Sequence, residues 1–343
     1  MRASAWGGTM HFDGVPRSMR RRLSVTVCFS LIVLLGVLLP PGTLLPARAE
    51  MPGVGGFRVL FEADSVYHHI VVVEDAVARY LRFDRSFQSG MYLHDPFDSP
   101  FLYAAYAHLG LIFRPHAQRV LVVGLGGGSI PKRFWRDYPE MTVEVAELDP
   151  MVVDVARRFF GVPEDLRLRV FVQDGRRFLR QTARRYDMVI LDAYFAESIP
   201  FHLTTREFMQ LTRTRLVPGG IVLSNLIGAL QGPRSRLFRA MYRTMGEVFP
   251  GLYLFPTAFR PFEDVDVIRN IIAVASEERG LGREEILRRA RAVASRVTYR
   301  DFVKYAADYY AEPIPVADVP VLTDDYAPVD SLVPLYRWSP PWP

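Results

Sequence analysis

From Arg119 to Ser276, predominantly apolar runs of strand length alternate with longer segments whose apolar residues recur at helical spacing. Strands are predicted at Arg119–Val123, Thr142–Glu147, Leu168–Val172, Met188–Leu191 and Ile221–Leu226. Helices are predicted at Ile130–Tyr138, Pro150–Phe160, Gly175–Thr182, Thr204–Leu216 and Arg234–Phe249. A strand with no polar face must be covered on both sides, and a helix between two such strands is a crossover that makes them parallel. The alternation therefore predicts an α/β fold with a doubly wound, mostly parallel sheet. Pro150 suits the first turn of its helix, and Pro218-Gly219-Gly220 is expected to stop the fourth. Leu252–Phe255 and Asn270–Ser276 close the sheet, and Arg283–Arg296 adds a helix.

Upstream, Phe57–Phe61, Tyr67–Val73, Ala78–Phe83 and Phe87–Tyr92 are short runs rich in β-branched and aromatic residues, separated by acidic turns. They predict a small antiparallel β-hairpin unit, with Pro100–Leu111 as a helix leading out. The organisation expected is a leader at residues 1–49, a hairpin domain and linking helix at 50–112, the α/β domain at 113–311, and a proline-rich tail at 312–343 wrapping the surface.

The leader decides what the charge means. The chain carries a formal +5, but residues 1–49 hold six arginines against Asp13 alone, so the whole excess sits there and the rest is balanced. Only Lys132 and Lys304 are lysines. Without a basic working domain or a recognition motif, nucleic-acid binding is not expected. Arg17–Arg22 is a basic cluster, Leu23–Leu39 an uncharged apolar run, and Ala47-Arg48-Ala49 a small-residue cleavage pattern. This is the order of a secretory signal peptide cut after Ala49; the rival is a retained anchor with residues 23–39 as membrane tether. Both place the remainder outside the cytoplasm, secreted, periplasmic or membrane-anchored. Cys28 is the single cysteine, which excludes a disulfide framework and a cysteine zinc site.

In an open α/β sheet the ligand lies beyond the carboxyl ends of the strands, so those positions carry the chemistry. The first strand ends in Gly124-Leu125-Gly126-Gly127-Gly128-Ser129, where Gly124, Gly126, Gly127 and Gly128 allow close backbone approach and the next helix offers free N–H groups. Ser129 stands where a dinucleotide fingerprint wants glycine or alanine, which disfavours a nicotinamide cofactor. Glu147 ends the second strand; a carboxylate matches a vicinal diol and suits ribose. Asp149 reads as an N-cap before Pro150. The third strand ends at Asp174-Gly175, where Asp174 accepts from an adenine amino group, caps the next helix, or does both. Asp192 ends the fourth strand beside the glycine loop, at the reactive end of any nucleoside. Together these make a sulfonium-nucleoside site. His202 follows in the next loop, as a pocket residue or as packing. The histidines form no metal pair, and no metal is expected. Arg176, Arg177, Arg180, Arg184 and Arg185 read as a solvated basic face.

At these residues the chain resembles the spermidine synthase (polyamine aminopropyltransferase) family, which implies a methyltransferase-like fold over residues 57–335. The resemblance lies in Ser65–Ile70, Leu81–Asp84, Phe87–Ser89, Val120–Gly128, Glu147–Pro150, Asp174-Gly175, Tyr186–Asp192 and Leu216–Gly220. Ile199–Phe208 and Leu322–Asp330 are similar to a subgroup often fused to membrane transporter segments. The resemblance implies no tightly bound cofactor, with decarboxylated S-adenosylmethionine or S-adenosylmethionine as co-substrate over Gly124–Gly128. It also implies ribose on Glu147, adenine at Asp174, aminopropyl transfer to a small amine at Asp192, and a homodimer. Tyr67, His68, Gln88, Tyr194 and His202 become the substrate-pocket candidates. The departures fall in the amine half. Gly127 and Phe195 stand where the family carries aspartates, His68 where it carries glutamine, and an alanine near Tyr103 where it carries an acid. Two alternatives follow. One is S-adenosylmethionine-dependent methylation of a small acceptor, with Gly127 leaving room for the donor's carboxylate. The other is a non-catalytic exported binding protein.

Overall fold

The computed structural model of the protein describes residues 56–194, 199–260 and 265–333. The expected leader and Phe195 lie outside these residues. Among the described residues, no helix is long and apolar enough to cross a membrane.

The first sheet is an antiparallel meander of β1 (Arg58–Asp64), β2 (His69–Glu74), β3 (Ala78–Phe83) and β4 (Ser86–Tyr92). Its Ile70, Val72, Leu81 and Phe83 join the same apolar cluster as Val120 and Val145 of the second sheet. The hairpin unit is thus seated on the α/β core. A tether reinforces the seat, because the Ser65 hydroxyl donates to Asp149 Oδ2.

The second sheet runs β10-β11-β9-β8-β5-β6-β7. β5 (Arg119–Val123), β6 (Thr142–Glu147), β7 (Leu168–Val172), β8 (Tyr186–Leu191) and β9 (Leu216–Gly228) are parallel. β10 (Gly251–Pro256) and β11 (Arg269–Ser276) are antiparallel closing strands. Strand pleating sends Val120, Val122, Met188 and Ile190 into one apolar cluster and Leu121, Val123, Val189 and Leu191 into the other. The helices divide accordingly. α3 (Ser129–Asp137), α4 (Pro150–Phe160) and α8 (Arg283–Val293) cover the first face; α5 (Gly175–Gln181), α6 (Arg206–Thr214) and α7 (Arg236–Gly246) cover the second. This is the doubly wound α/β arrangement read from the alternation.

Four expectations are corrected. The helix predicted over Pro100–Leu111 is broken into α1 (Leu102–Tyr106), a 3₁₀ turn at Ala107–Leu109 and α2 (Gly110–Phe113). Gly110 lies against β8, where a Cβ would come within 2.6 Å of the Met188 methyl. Pro218-Gly219-Gly220 do not stop α6; it ends at Thr214, and the three residues belong to β9, which begins at Leu216. Over its described residues, 313–333, the tail is not a surface wrap. Ile314, Val319, Leu322, Val329 and Leu332 are buried in the second cluster, because apolar side chains sit between the prolines that keep the segment extended. Arg176 is not on a solvated face, for it is 8% exposed and paired with Asp324.

Candidate active site

The chain leaves β5 through β6 and β7 on one side and returns on the other with β8, so its direction switches between β5 and β8. A crevice must open beyond the carboxyl ends of those two strands. A cavity of about 210 Å³ lies there, floored by the strand ends and roofed by the hairpin sheet.

The glycine loop divides into two parts. Gly124 (φ 97°) brings β5 against the segment after β8; a Cβ there would fall 2.3 Å from the Asp192 carbonyl oxygen. No other residue allows that approach, and Asp192 N–H donates to Val123 O at 2.9 Å beside it. Gly124 and Gly126 line the cavity; Gly127 and Gly128 do not. A Cβ at Gly127 would meet Phe160 and Ser89 at 3.0 Å, so the space beside it is filled by protein. The room expected there for a donor carboxylate is therefore not present. Ser129 is structural, its hydroxyl donating to Gly90 O (3.1 Å) and meeting the Ser89 hydroxyl (3.1 Å).

Glu147, at the end of β6, is buried under the loop. Leu125 N–H donates to its Oε2 (2.8 Å) and Asp149 N–H to its Oε1 (2.9 Å). Burial pushes its carboxyl up, against those N–H donors. Asp149 caps α4 through Met151 N–H, as expected.

Asp174 caps α5 through Arg177 N–H (2.8 Å) and faces His202 Nε2 (2.7 Å) with its other oxygen. Partial burial opposes ionisation, but His202 and the Arg177 N–H hold the carboxyl below its usual range. His202 is thereby placed in the pocket wall. Its backbone is held in turn, since Arg176 donates to His202 O (3.1 Å) and, with both Nη atoms, to Asp324 (2.7 and 2.5 Å). Asp324 also accepts from the Thr205 hydroxyl (2.7 Å), and Arg176 holds its carboxyl down at about 2. The runs at 199–208 and 322–330 are thus two halves of one contact behind the cavity wall formed by Asp174 and His202.

Asp192 sits on the cavity floor, enclosed except where it faces the cavity. Asn225 Nδ2 donates to its Oδ1 (2.9 Å), and burial pushes its carboxyl up to about 7 against that bond. Tyr103 and Tyr194 flank it. Burial, then the charge of Asp192, raises both phenols, and they donate instead to Gln88 O (3.0 Å) and Asn225 O (2.6 Å).

From the roof, His68 stacks on Phe83 at 4.0 Å, and burial lowers its imidazole so that it is neutral at pH 7. Gln88 and Tyr194 line the cavity as expected. Tyr67 does not; it is 41% exposed, because the Ser65 turn sends His68 inward and Tyr67 out. Asn225 and Asn270 were not anticipated and line the cavity, as do Phe83, Phe101 and Arg269. Among the described residues no cluster of three or more histidine, cysteine, aspartate or glutamate side chains is placed to hold a metal.

Comparison with known proteins bears on this geometry. The spermine/spermidine synthase domain matches residues 101–260. A polyamine aminopropyltransferase of Vibrio vulnificus is 33% identical over 211 residues, 59% of this chain and 69% of that protein. The chain belongs to the spermidine synthase family. It is a transferase by that membership. A second relative, the polyamine aminopropyltransferase of Nitrosomonas europaea, is 30% identical over 58% of this chain and 62% of its own. Two solved structures share the fold. A probable spermidine synthase from Corynebacterium glutamicum has a TM-score of 0.59 at 20% identity, over 78% of this chain and 99% of that one. A spermidine synthase in complex with the transition-state analogue AdoDATO has a TM-score of 0.54 at 18% identity, over 76% and 97%. Both likenesses show the fold, a small antiparallel sheet followed by a mostly parallel one.

Proposed function

We propose that this family member transfers the aminopropyl group of decarboxylated S-adenosylmethionine to a small amine. One observation carries the reading. Of the three carboxylates at the cavity, Glu147 and Asp174 have both oxygens engaged, whereas Oδ2 of Asp192 has no partner among the described residues. Glu147 and Asp174 are anchored receptors for ribose and adenine; Asp192 keeps an oxygen for the reaction.

The step balances as follows. The acceptor arrives as an ammonium ion and gives a proton to Asp192 Oδ2. Its nitrogen lone pair attacks the carbon next to the sulfonium; the N–C bond forms, the C–S bond breaks, and the pair stays on sulfur. Methylthioadenosine leaves as a neutral thioether. With Glu147 and Asp174 engaged and Phe83, Phe101 and Tyr103 in the lining, a second ammonium would be buried without a carboxylate partner, which favours an acceptor with one ammonium and an apolar body over a diamine.

Isothermal titration with methylthioadenosine, S-adenosylmethionine and its decarboxylated form tests the site, followed by mass-spectrometric detection of an aminopropylated amine. Micromolar binding of the decarboxylated donor is expected, with faster transfer to a monoamine than to putrescine. No binding of any of the three would sink the reading; methyl transfer from S-adenosylmethionine would replace it.

We propose further that the protein works outside the cytoplasm, on the strength of the basic cluster, apolar run and cleavage pattern in residues 17–49. N-terminal sequencing of the full-length chain expressed in a bacterium should read from Glu50, or find the chain intact in the membrane. An intact chain in the soluble cytoplasmic fraction would overturn this placement.

A further inference from the structure

Three adjacent strands place polar side chains in a row under the cavity. β8 and β9 run in parallel register, Leu191 beside Ser224, so Asp192 follows beside Asn225. β9 and β11 are antiparallel with Ile227 opposite Asn270 and Asn225 opposite Ile272, so Asn225 and Asn270 are diagonal neighbours on one face. The row is bonded throughout. Asn270 Nδ2 donates to Asn225 Oδ1 (2.9 Å), and Asn225 Nδ2 donates to Asp192 Oδ1 (2.9 Å). Asn225 is 3% exposed, and the Tyr194 hydroxyl holds its carbonyl at 2.6 Å.

A carboxamide has a donor end and an acceptor end, and the neighbours decide which way it faces. An ionised Asp192 can only accept, so it takes the NH₂ of Asn225, whose oxygen then receives the Asn270 N–H. Reversed, Asn225 would set its oxygen against a carboxylate oxygen, and only a protonated Asp192 would tolerate that. The same bond engages Oδ1 of Asp192, which lines the cavity, and leaves its Oδ2 for the ligand.

We propose that Asn225 and Asn270 form a positioning relay that holds Asp192 in one orientation and in its proton-accepting form. The inference rests on the reading of Asp192 as the group that takes the acceptor's proton. The other ionisable groups around Asp192 do not substitute for the relay. Tyr103 of α1 and Tyr194 are neutral donors to carbonyls. His68 in the roof is neutral, Glu147 and Asp174 are anchored as described, and His202 is bonded to Asp174. Arg269 beside Asn270 spends Nη1 on Thr257 O and Ala258 O.

The test reads Asp192 directly. Infrared difference titration of the carboxyl stretch, with Asp192→Asn as blank, gives its midpoint without any substrate. Asn225→Leu should raise the midpoint by about one pH unit and Asn270→Leu by about half of that. Transfer at pH 7 should fall about tenfold in Asn225→Leu and recover to within about threefold of the parent at pH 9, a recovery that mere structural damage would not show. An unmoved midpoint in folded Asn225→Leu, or an activity loss equal at every pH, overturns the relay; if that variant does not fold, Asn270→Leu decides by the same criteria. A shifted midpoint in a protein that transfers nothing keeps the relay and removes the aminopropyl-transfer reading. Transfer with an unmoved midpoint does the reverse.

Discussion

Asp192→Asn should lower kcat/KM for aminopropyl transfer by about 10³-fold while leaving the affinity for methylthioadenosine within about threefold. The asparagine still accepts from Asn225 with one end, so the floor of the cavity keeps its shape. What is lost is a group that takes a proton, and the neighbouring phenols, raised by burial and by the charge of Asp192, do not replace it. The parent enzyme should show its own signature of the same group. Asp192 must be ionised to act and its carboxyl lies at about 7 in the free protein, so kcat/KM should fall as the pH drops through about 7. The sulfonium favours the carboxylate, so the corresponding fall in kcat should lie at lower pH. Stability moves the other way. The folded protein holds this proton more tightly than the unfolded chain, so burial of the carboxylate costs stability as the pH rises from about 4 to about 7, by on the order of 4 kcal/mol at full effect. Asp192→Asn should therefore be more stable than the parent in urea at pH 8, with the difference vanishing toward pH 4. A variant inactive and destabilised at pH 8 would mean that Asp192 is part of the scaffold.

Glu147, Asp174 and Asp192 were legible because the parallel strands here are mostly apolar, and a carboxylate at or just after the carboxyl end of such a strand comes to the crevice. Asn225 stands at the corresponding place on the fifth parallel strand, one residue after Ser224 and level with Asp192. Asn270 does not. It begins an antiparallel strand, so the amino end of β11 comes to the cavity, and a reading confined to carboxyl ends passes over it. The loss of Gly127 and Gly128 from the site has another cause. Glycine spacing shows that backbone must come close to something, and here that something is Phe160, Ser89 and Val162 as well as a ligand. Arg176 looks solvated from its local neighbours, which include several arginines, whereas its partner Asp324 lies 148 residues away. Of the two pocket candidates Tyr67 and His68, one turn keeps only His68 at the cavity, since the Ser65 hydroxyl accepts from both of their N–H groups and sets which ring points inward.

Glu147→Gln should weaken methylthioadenosine binding by about 100-fold and, more tellingly, abolish the preference for ribose over 2′-deoxyribose. The carboxylate accepts from Leu125 N–H and Asp149 N–H, one on each oxygen. Glutamine has a single acceptor end, so one of those donors must face an NH₂ group in a buried place, at a cost of about 1–3 kcal/mol. The Leu125 N–H belongs to the glycine loop, so loosening it also loosens the backbone against which the ligand rests. The diol adds a second loss, because the bonds it makes to Glu147 are charge-assisted and those to an amide are not. Titration of the parent and of Glu147→Gln with methylthioadenosine and its 2′-deoxy analogue separates the two effects. Damage to the loop weakens both ligands equally, whereas recognition of the diol appears only as the difference between them. The parent should favour the ribose form by about tenfold or more, and the variant should favour neither. A variant that keeps the parent's discrimination would show that the ribose is held elsewhere in the cavity.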